Sequence, residues 1–215
     1  MKRNSTYNAG FTLVELSIVL VIIGLIIGGV LSGKQIMLNA QITNAVNALQ
    51  AYQAQFQTYV QNYGAMPGDD AKAKERFSSA NVPANTTTSD GTLDETFDST
   101  SDTAETRLLW ADLRAAGLVK GAGSDVTQPA NSFGGIFGFQ HGAFSGTGAF
   151  TTNVVCLSSV PGDAAMSIDS RLDDGVSNTG SISSMVSTGE VGEAENGTPA
   201  TTYDAAKTYT TCAKM

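Results

Sequence analysis

GFTLVELSIVLVIIGLIIGGVL, residues 10–31, is an apolar run broken by a single acid, Glu15. From Phe11 to Leu31 there are about 21 residues, and at roughly 1.5 Å rise each a helix of them reaches about 32 Å, the thickness of a bilayer core. Lys2 and Arg3 precede the run without an intervening acid, a bias that keeps the N-terminus cytoplasmic and sends the chain after Leu31 outward. A secretory signal peptide has a different plan, an apolar stretch of roughly 7 to 15 residues followed by a small-residue cleavage site. Here the run is longer, the small residue Gly10 stands before it, and the helical pattern continues through SGKQIMLNAQITNAV. A plain membrane anchor gives no reason for Glu15, because a carboxylate near the centre of a spanning helix is unfavourable by roughly 2.5 to 3.5 kcal/mol. An acid placed there requires a partner.

Beyond Lys34 the apolar positions run Leu38, Ile42, Ala45, Leu49, Tyr52, Phe56, Tyr59 and Tyr63, spaced by threes and fours with Gln and Asn between them. That is one stripe on one helix. The first breakers are Gly64, Pro67 and Gly68, so a single helix over 11–63 is expected, about 53 residues and about 80 Å long. The part from 34 to 64 is amphipathic and holds a globular head, and its aromatics are core rather than a ligand box. Gly24, Gly28, Gly29 and Gly33 weaken the apolar half as a helix by roughly 1 kcal/mol each relative to Ala. They mark either close helix packing or a stretch that melts.

Composition narrows the function classes. The 215 residues carry 12 Lys+Arg against 20 Asp+Glu, a formal net charge of -8, which argues against a general electrostatic grip on phosphates and leaves no specific nucleic-acid site evident. No nucleophile-elbow, zincin or phosphate-loop pattern is present, and the single histidine, His141, stands in a Gly-rich stretch and reads as a turn or surface residue. No enzymatic activity is expected. The two cysteines, Cys156 and Cys212, lack metal-ligand spacing and can oxidise to a disulfide outside the cytoplasm. The closed loop of about 57 residues would then contribute roughly 4 kcal/mol.

The remainder, residues 65–215, reads as a head of short helices and an antiparallel sheet. Asp69 is a candidate N-cap for a short helix through Phe77. Residues 86–106 are polar and acidic, with Leu93 and Phe97 alone to bury, and read as an exposed loop. ETRLLWADLRAA, residues 105–116, has helical periodicity with Trp110 as a core anchor and Gly117 as its stop. From Gly134 the period shortens, and strands carrying Ile136, Phe137, Phe139, Phe150, Val154 and Val155 are expected to pack on the long helix. YDAAKTYTTCAKM, residues 203–215, supplies a last strand bearing Cys212. Between these lies AMSIDSRLDDGVSNTGSI, residues 165–182, where a short helix over 164–172 ends in an Asp173-Asp174-Gly175 turn. The alternative is a calcium site in which Asp169, Asp173 and Asp174 converge as hard oxygen ligands, although the spacing is not that of an EF-hand.

A basic leader ending in Gly10, then Phe11-Thr12-Leu13-Val14-Glu15-Leu16 and an unbroken apolar helix, resembles the type III signal of type IV pilins and type II secretion pseudopilins. The resemblance implies an α+β pilin fold with the antiparallel sheet packed on the second half of the helix. It implies a leader, 1–10, cut from the chain between Gly10 and Phe11 by a membrane-embedded prepilin peptidase that also methylates the new Phe11 amine. Residues 11–33 would then serve first as a single inner-membrane span with the head periplasmic, and next as the core of a filament of copies of itself or of mixed pilins, built by an assembly-platform membrane protein. Glu15 would meet the Phe11 amine of a neighbouring subunit, a pair that sets register in low dielectric. The implied function is that of a pilus subunit supporting adhesion, motility or DNA uptake, extracellular once assembled, with a periplasmic secretion pseudopilus as the alternative. A membrane-tethered periplasmic binding protein or enzyme is a further alternative. Pilins commonly carry a C-terminal disulfide-bounded region, and major pseudopilins bind calcium in their heads. Many pilins have a proline where this chain has Ser32-Gly33.

Overall fold

The computed structural model describes residues 11–84 and 89–215. The leader expected over 1–10, Gly10 included, lies outside the described residues, as does part of the expected acidic loop, 85–88. The chain forms two compact units, Met1–Ala40 and Gln41–Met215.

A single helix, α1, runs Leu13–Tyr63, within two residues of the expected bounds. In the first unit its apolar side chains from Leu13 to Ile27 lie open, and an 18-residue window has a mean hydropathy of 2.7. Among the described residues this is the one helix long and apolar enough to cross a membrane. A Cβ built on Gly24, Gly28, Gly29 or Gly33 meets no atom within 4 Å. These glycines therefore serve no packing contact within the chain.

In the second unit the stripe predicted from spacing is the buried one. Ile42, Ala45, Leu49, Phe56 and Tyr59 are all buried. Burial of each large member removes apolar surface from water and contributes roughly 1.5 to 3 kcal/mol. The helix ends at Gly64, whose positive φ of 66° and amide bond to Val60 O, 2.8 Å, form the left-handed cap that a residue with Cβ adopts only with strain.

Four strands follow, β1 Phe137–Ala143, β2 Phe150–Pro161, β3 Ile182–Val186 and β4 Thr208–Lys214, in one antiparallel sheet of order β1-β2-β4-β3. The C-terminal strand thus enters the middle of the sheet. Its buried hydroxyls find partners, Thr211 Oγ1 with Ser184 Oγ across the β3–β4 pair at 2.9 Å and Thr210 Oγ1 donating to Glu193 Oε1 outside the sheet at 2.5 Å, which offsets the cost of burying polar atoms at the centre. Strand alternation divides the sheet between two cores. Phe137, Phe139 and their register neighbours face α1, where Tyr52 meets Phe137 at 5.1 Å and Phe56 stacks on Phe139 at 5.3 Å. Helix α3, Glu105–Ala115, adds Trp110 to this layer, 5.0 Å from Tyr52 and 5.5 Å from Phe139.

The other face holds Val154, Cys156, Met185 and Cys212, packed with Phe97, Phe150 and Ala194. Here the expected acidic loop is exposed at Asp90, Asp94 and 100–103, while Leu93 and Phe97, the two residues it had to bury, enter the interior. Phe97 is fully buried, its amide donates to Gln140 Oε1 at 3.0 Å, and its carbonyl accepts from Gln128. Gly138 permits this approach, because a Cβ there would collide with the Phe97 carbonyl. The acidic residues around Leu93 and Phe97 disguised a lid over the second core. A short helix α5, Glu193–Asn196, lies on the same side, with Ala194 buried.

Three further differences are small and local. The helix expected after Asp69 is only α2, Ala73–Arg76, with Lys72 rather than Asp69 before it. Helix α4 spans Gly162–Leu172, two residues longer at its start than expected. Ile136 is half-buried, whereas the other strand residues predicted for the core are buried.

Candidate functional site

The start of α1 is built by a reciprocal pair. Thr12 donates from both its amide, 2.8 Å, and its hydroxyl, 2.9 Å, to Glu15 Oε2, while the Glu15 amide donates back to Thr12 Oγ1 at 3.2 Å. Thr-x-x-Glu in this arrangement is a capping box, which satisfies amides that the first helical turn leaves without partners. The motif was legible in FTLVEL, although the membrane pattern drew attention to Glu15 alone. Within one chain the carboxylate therefore has a local role beside any role toward a neighbour. Phe11, directly before Thr12, is 86% exposed, so an amine created by cleavage before it would stand one residue from this box, at the positive end of the helix dipole.

The three aspartates singled out for calcium do come together, with one carboxylate oxygen of each within 4.8 Å of the others. Each also fastens the loop after α4. Asp169, fully buried, accepts from Gly175 N at 3.0 Å and from the Tyr203 hydroxyl at 2.7 Å, and burial pushes its carboxyl above the usual range. Asp173 Oδ2 accepts the amides of Ser181, 2.5 Å, and Ile182, 3.1 Å. Asp174 accepts from Val176 N at 2.8 Å and from the Thr179 hydroxyl at 2.6 Å. Gly180 sits against Asp173 with a φ of 75° where a Cβ would strike the carboxylate. Backbone amides and the Tyr203 and Thr179 hydroxyls already give each of the three carboxylates a donor, so the arrangement works as a turn scaffold, and a cation would have to share it.

Cys156 and Cys212 are bonded, directly opposite each other in the β2–β4 register and wholly buried in the second core. The staple therefore joins the C-terminal strand to the centre of the sheet and bounds a region that contains α4, β3 and α5. His141 is exposed, with Nδ1 3.0 Å from Asn153 Oδ1, in keeping with a surface residue.

Sequence reading missed a group of buried acids at the end of α1. Asp112 on α3 accepts the Gly68 amide at 2.7 Å, and burial raises its carboxyl to about 7. Asp70 accepts the Tyr59 hydroxyl at 2.9 Å and the Lys72 amide at 2.9 Å, and pairs with Arg76. Gly68, φ 89°, brings the loop so close to α3 that a Cβ would strike the Glu105 carbonyl. The segment read as a turn plus N-cap is thus a latch that ties PGDD to two helices.

A helix start of this kind, an apolar span and a disulfide-bounded α+β head are the features that the resemblance to type IV pilins and pseudopilins implied. Residues 5–31 match the prokaryotic N-terminal methylation motif. The chain thereby carries the prepilin signal of that class, which implies processing by a prepilin peptidase and assembly into a filament. No curated protein gives a significant match to the chain.

Proposed function

We propose that the chain is a structural subunit of a type IV pilus, cut after Gly10, methylated at Phe11 and polymerised through α1 with its head outermost. The observation that carries this reading is the methylation motif over 5–31, set on a helix whose apolar side chains find no cover within the chain. Exposed apolar surface of that extent needs either lipid or other copies of the same helix. Before assembly the span holds the subunit in the inner membrane with the head in the periplasm. In the filament, Glu15 exchanges part of its capping box for the Phe11 amine of a neighbour, because an unpaired charge in an apolar bundle is strongly unfavourable. The protein has no catalytic role in this reading, and the buried disulfide stiffens a head exposed outside the cell. A secretion pseudopilin is the second reading, favoured by the convergence of Asp169, Asp173 and Asp174. Calcium bound there would raise the melting temperature of Asp69→Asn and not of the double variant Asp69→Asn/Asp173→Asn.

Replacement of Glu15 tests the assembly step. Glu15→Ala should leave cleavage and membrane insertion intact, as seen by size and fractionation, and abolish filaments in electron micrographs. Normal filaments from this variant would exclude the proposed pairing.

A further inference from the structure

Asp69 is buried, 3% exposed, yet among the described residues its two carboxylate oxygens are unequally served. Oδ2 accepts the Gly91 amide at 2.7 Å, the Asp90 amide also acts on the carboxylate, and the buried Oδ1 has no hydrogen-bond partner among the described residues. An ionised oxygen left in that condition is costly, on the order of 1 to 3 kcal/mol or more. Asp69 lines a cavity of about 300 Å³ between the loop after α1, at Gly64 and Met66, and Ser89 and Gly91. The ionised groups acting on it from the second loop are Asp90 and Asp94, both exposed acids, which add negative potential to a site already short of a donor. The loop geometry is held independently, by the Ser89 hydroxyl donating to Asp69 O at 2.5 Å and accepting the Ala71 amide at 3.1 Å. A cation satisfies Oδ1 and relieves the repulsion from Asp90 and Asp94 at once, whereas a water molecule in the cavity does only the first.

We infer that the junction of loops 64–69 and 89–94 is a binding site for a hard divalent cation of the calcium class, with Asp69 as its buried anchor and Asp90 and Asp94 as its outer charges. The cavity leaves room for an ion that retains water ligands. An irregular set of loop oxygens suits calcium, which takes six to eight ligands at flexible geometry, over magnesium, which requires a regular octahedron. The site is separate from Asp169, Asp173 and Asp174, whose carboxylates all have donors.

The test uses full-length protein in detergent, stripped with a chelator and titrated with calcium chloride while thermal unfolding is followed. Ligand that binds only the folded state raises the melting temperature, and saturation well above the dissociation constant should give a rise of about 4 °C or more. The rise is expected in wild type and in Asp173→Asn, and to be absent from Asp69→Asn. Because Asp69→Asn can weaken the fold, the surface double variant Asp90→Asn/Asp94→Asn provides the second arm. It should fold normally and shift the calcium midpoint upward at least about threefold at low salt. No shift in wild type, a shift that survives Asp69→Asn and vanishes in Asp173→Asn, or a midpoint unchanged in the double variant would each overturn the inference.

Discussion

Asp112 shows how one buried carboxyl sets a pH dependence. Its folded value lies near 7 because burial disfavours the charged form, against an ordinary value of 3.8. The folded state therefore holds a proton between about pH 4 and 7 that the unfolded chain has released, and the stability contributed by this group is full below about pH 4 and lost as pH rises toward 7. Asp112→Asn keeps an oxygen for the Gly68 amide and removes the titration. Denaturant midpoints should then fall less between pH 5 and pH 8 than in wild type, with the variant the more stable of the two at pH 8. Asp173 gives the contrasting case, an acid whose value is as a backbone acceptor. Asp173→Ala leaves the Ser181 and Ile182 amides without it and should destabilise the head by about 2 kcal/mol, read from urea unfolding. Neither role was legible in sequence, because Asp112 reads as one acid within a helix and DDG as generic turn chemistry until the fold shows which amides lie opposite. Glu15 was legible as an acid that needs a partner. The partner found within the chain is Thr12, three residues before it.

At the scale of elements, periodicity served well wherever one face is apolar and the other wet. On α1 Ile42, Ala45, Leu49, Phe56 and Tyr59, and on α3 Leu109, Trp110 and Leu113, are buried as the spacing predicts, with Tyr52 half-buried. The place of Phe97 in the second core was hidden because it depends on Gly138, some forty residues later, which leaves space for the Phe97 backbone against β1. Gly138→Val should force the two apart and cost at least about 2 kcal/mol, with loss of protection at the Phe97 amide in hydrogen exchange. The position of β4 at the sheet centre was equally hidden, since an alternating strand reads alike at an edge and in the middle. The disulfide could be expected from two cysteines outside the cytoplasm. Its place across the β2–β4 pair required the register. Cys156→Ser/Cys212→Ser removes the constraint on a loop with a sequence separation of 56 and should lower stability by about 4 kcal/mol, measured against oxidised wild type in guanidinium. Reduction of the wild type under native conditions should be slow and track global unfolding, because both sulfurs lie in the closed core.

For the molecule as a whole, the two units divide the work that the sequence pattern assigns to them. The first carries an apolar surface that its own chain does not cover, and the second has two packed cores, a pinned set of loops and a cross-strand staple. A subunit stored in a membrane and then drawn into a polymer needs this division, since its helix changes surroundings while its head keeps one fold. The central claim is that the helix is released by a cut before Phe11 and becomes the core of a filament. Intact-mass and N-terminal analysis of the protein sheared from the cell surface tests it most directly. The account predicts a chain that begins at N-methylated Phe11 and contains the closed Cys156–Cys212 bond. A surface protein that retains Met1, or one that begins beyond Glu15, would contradict it.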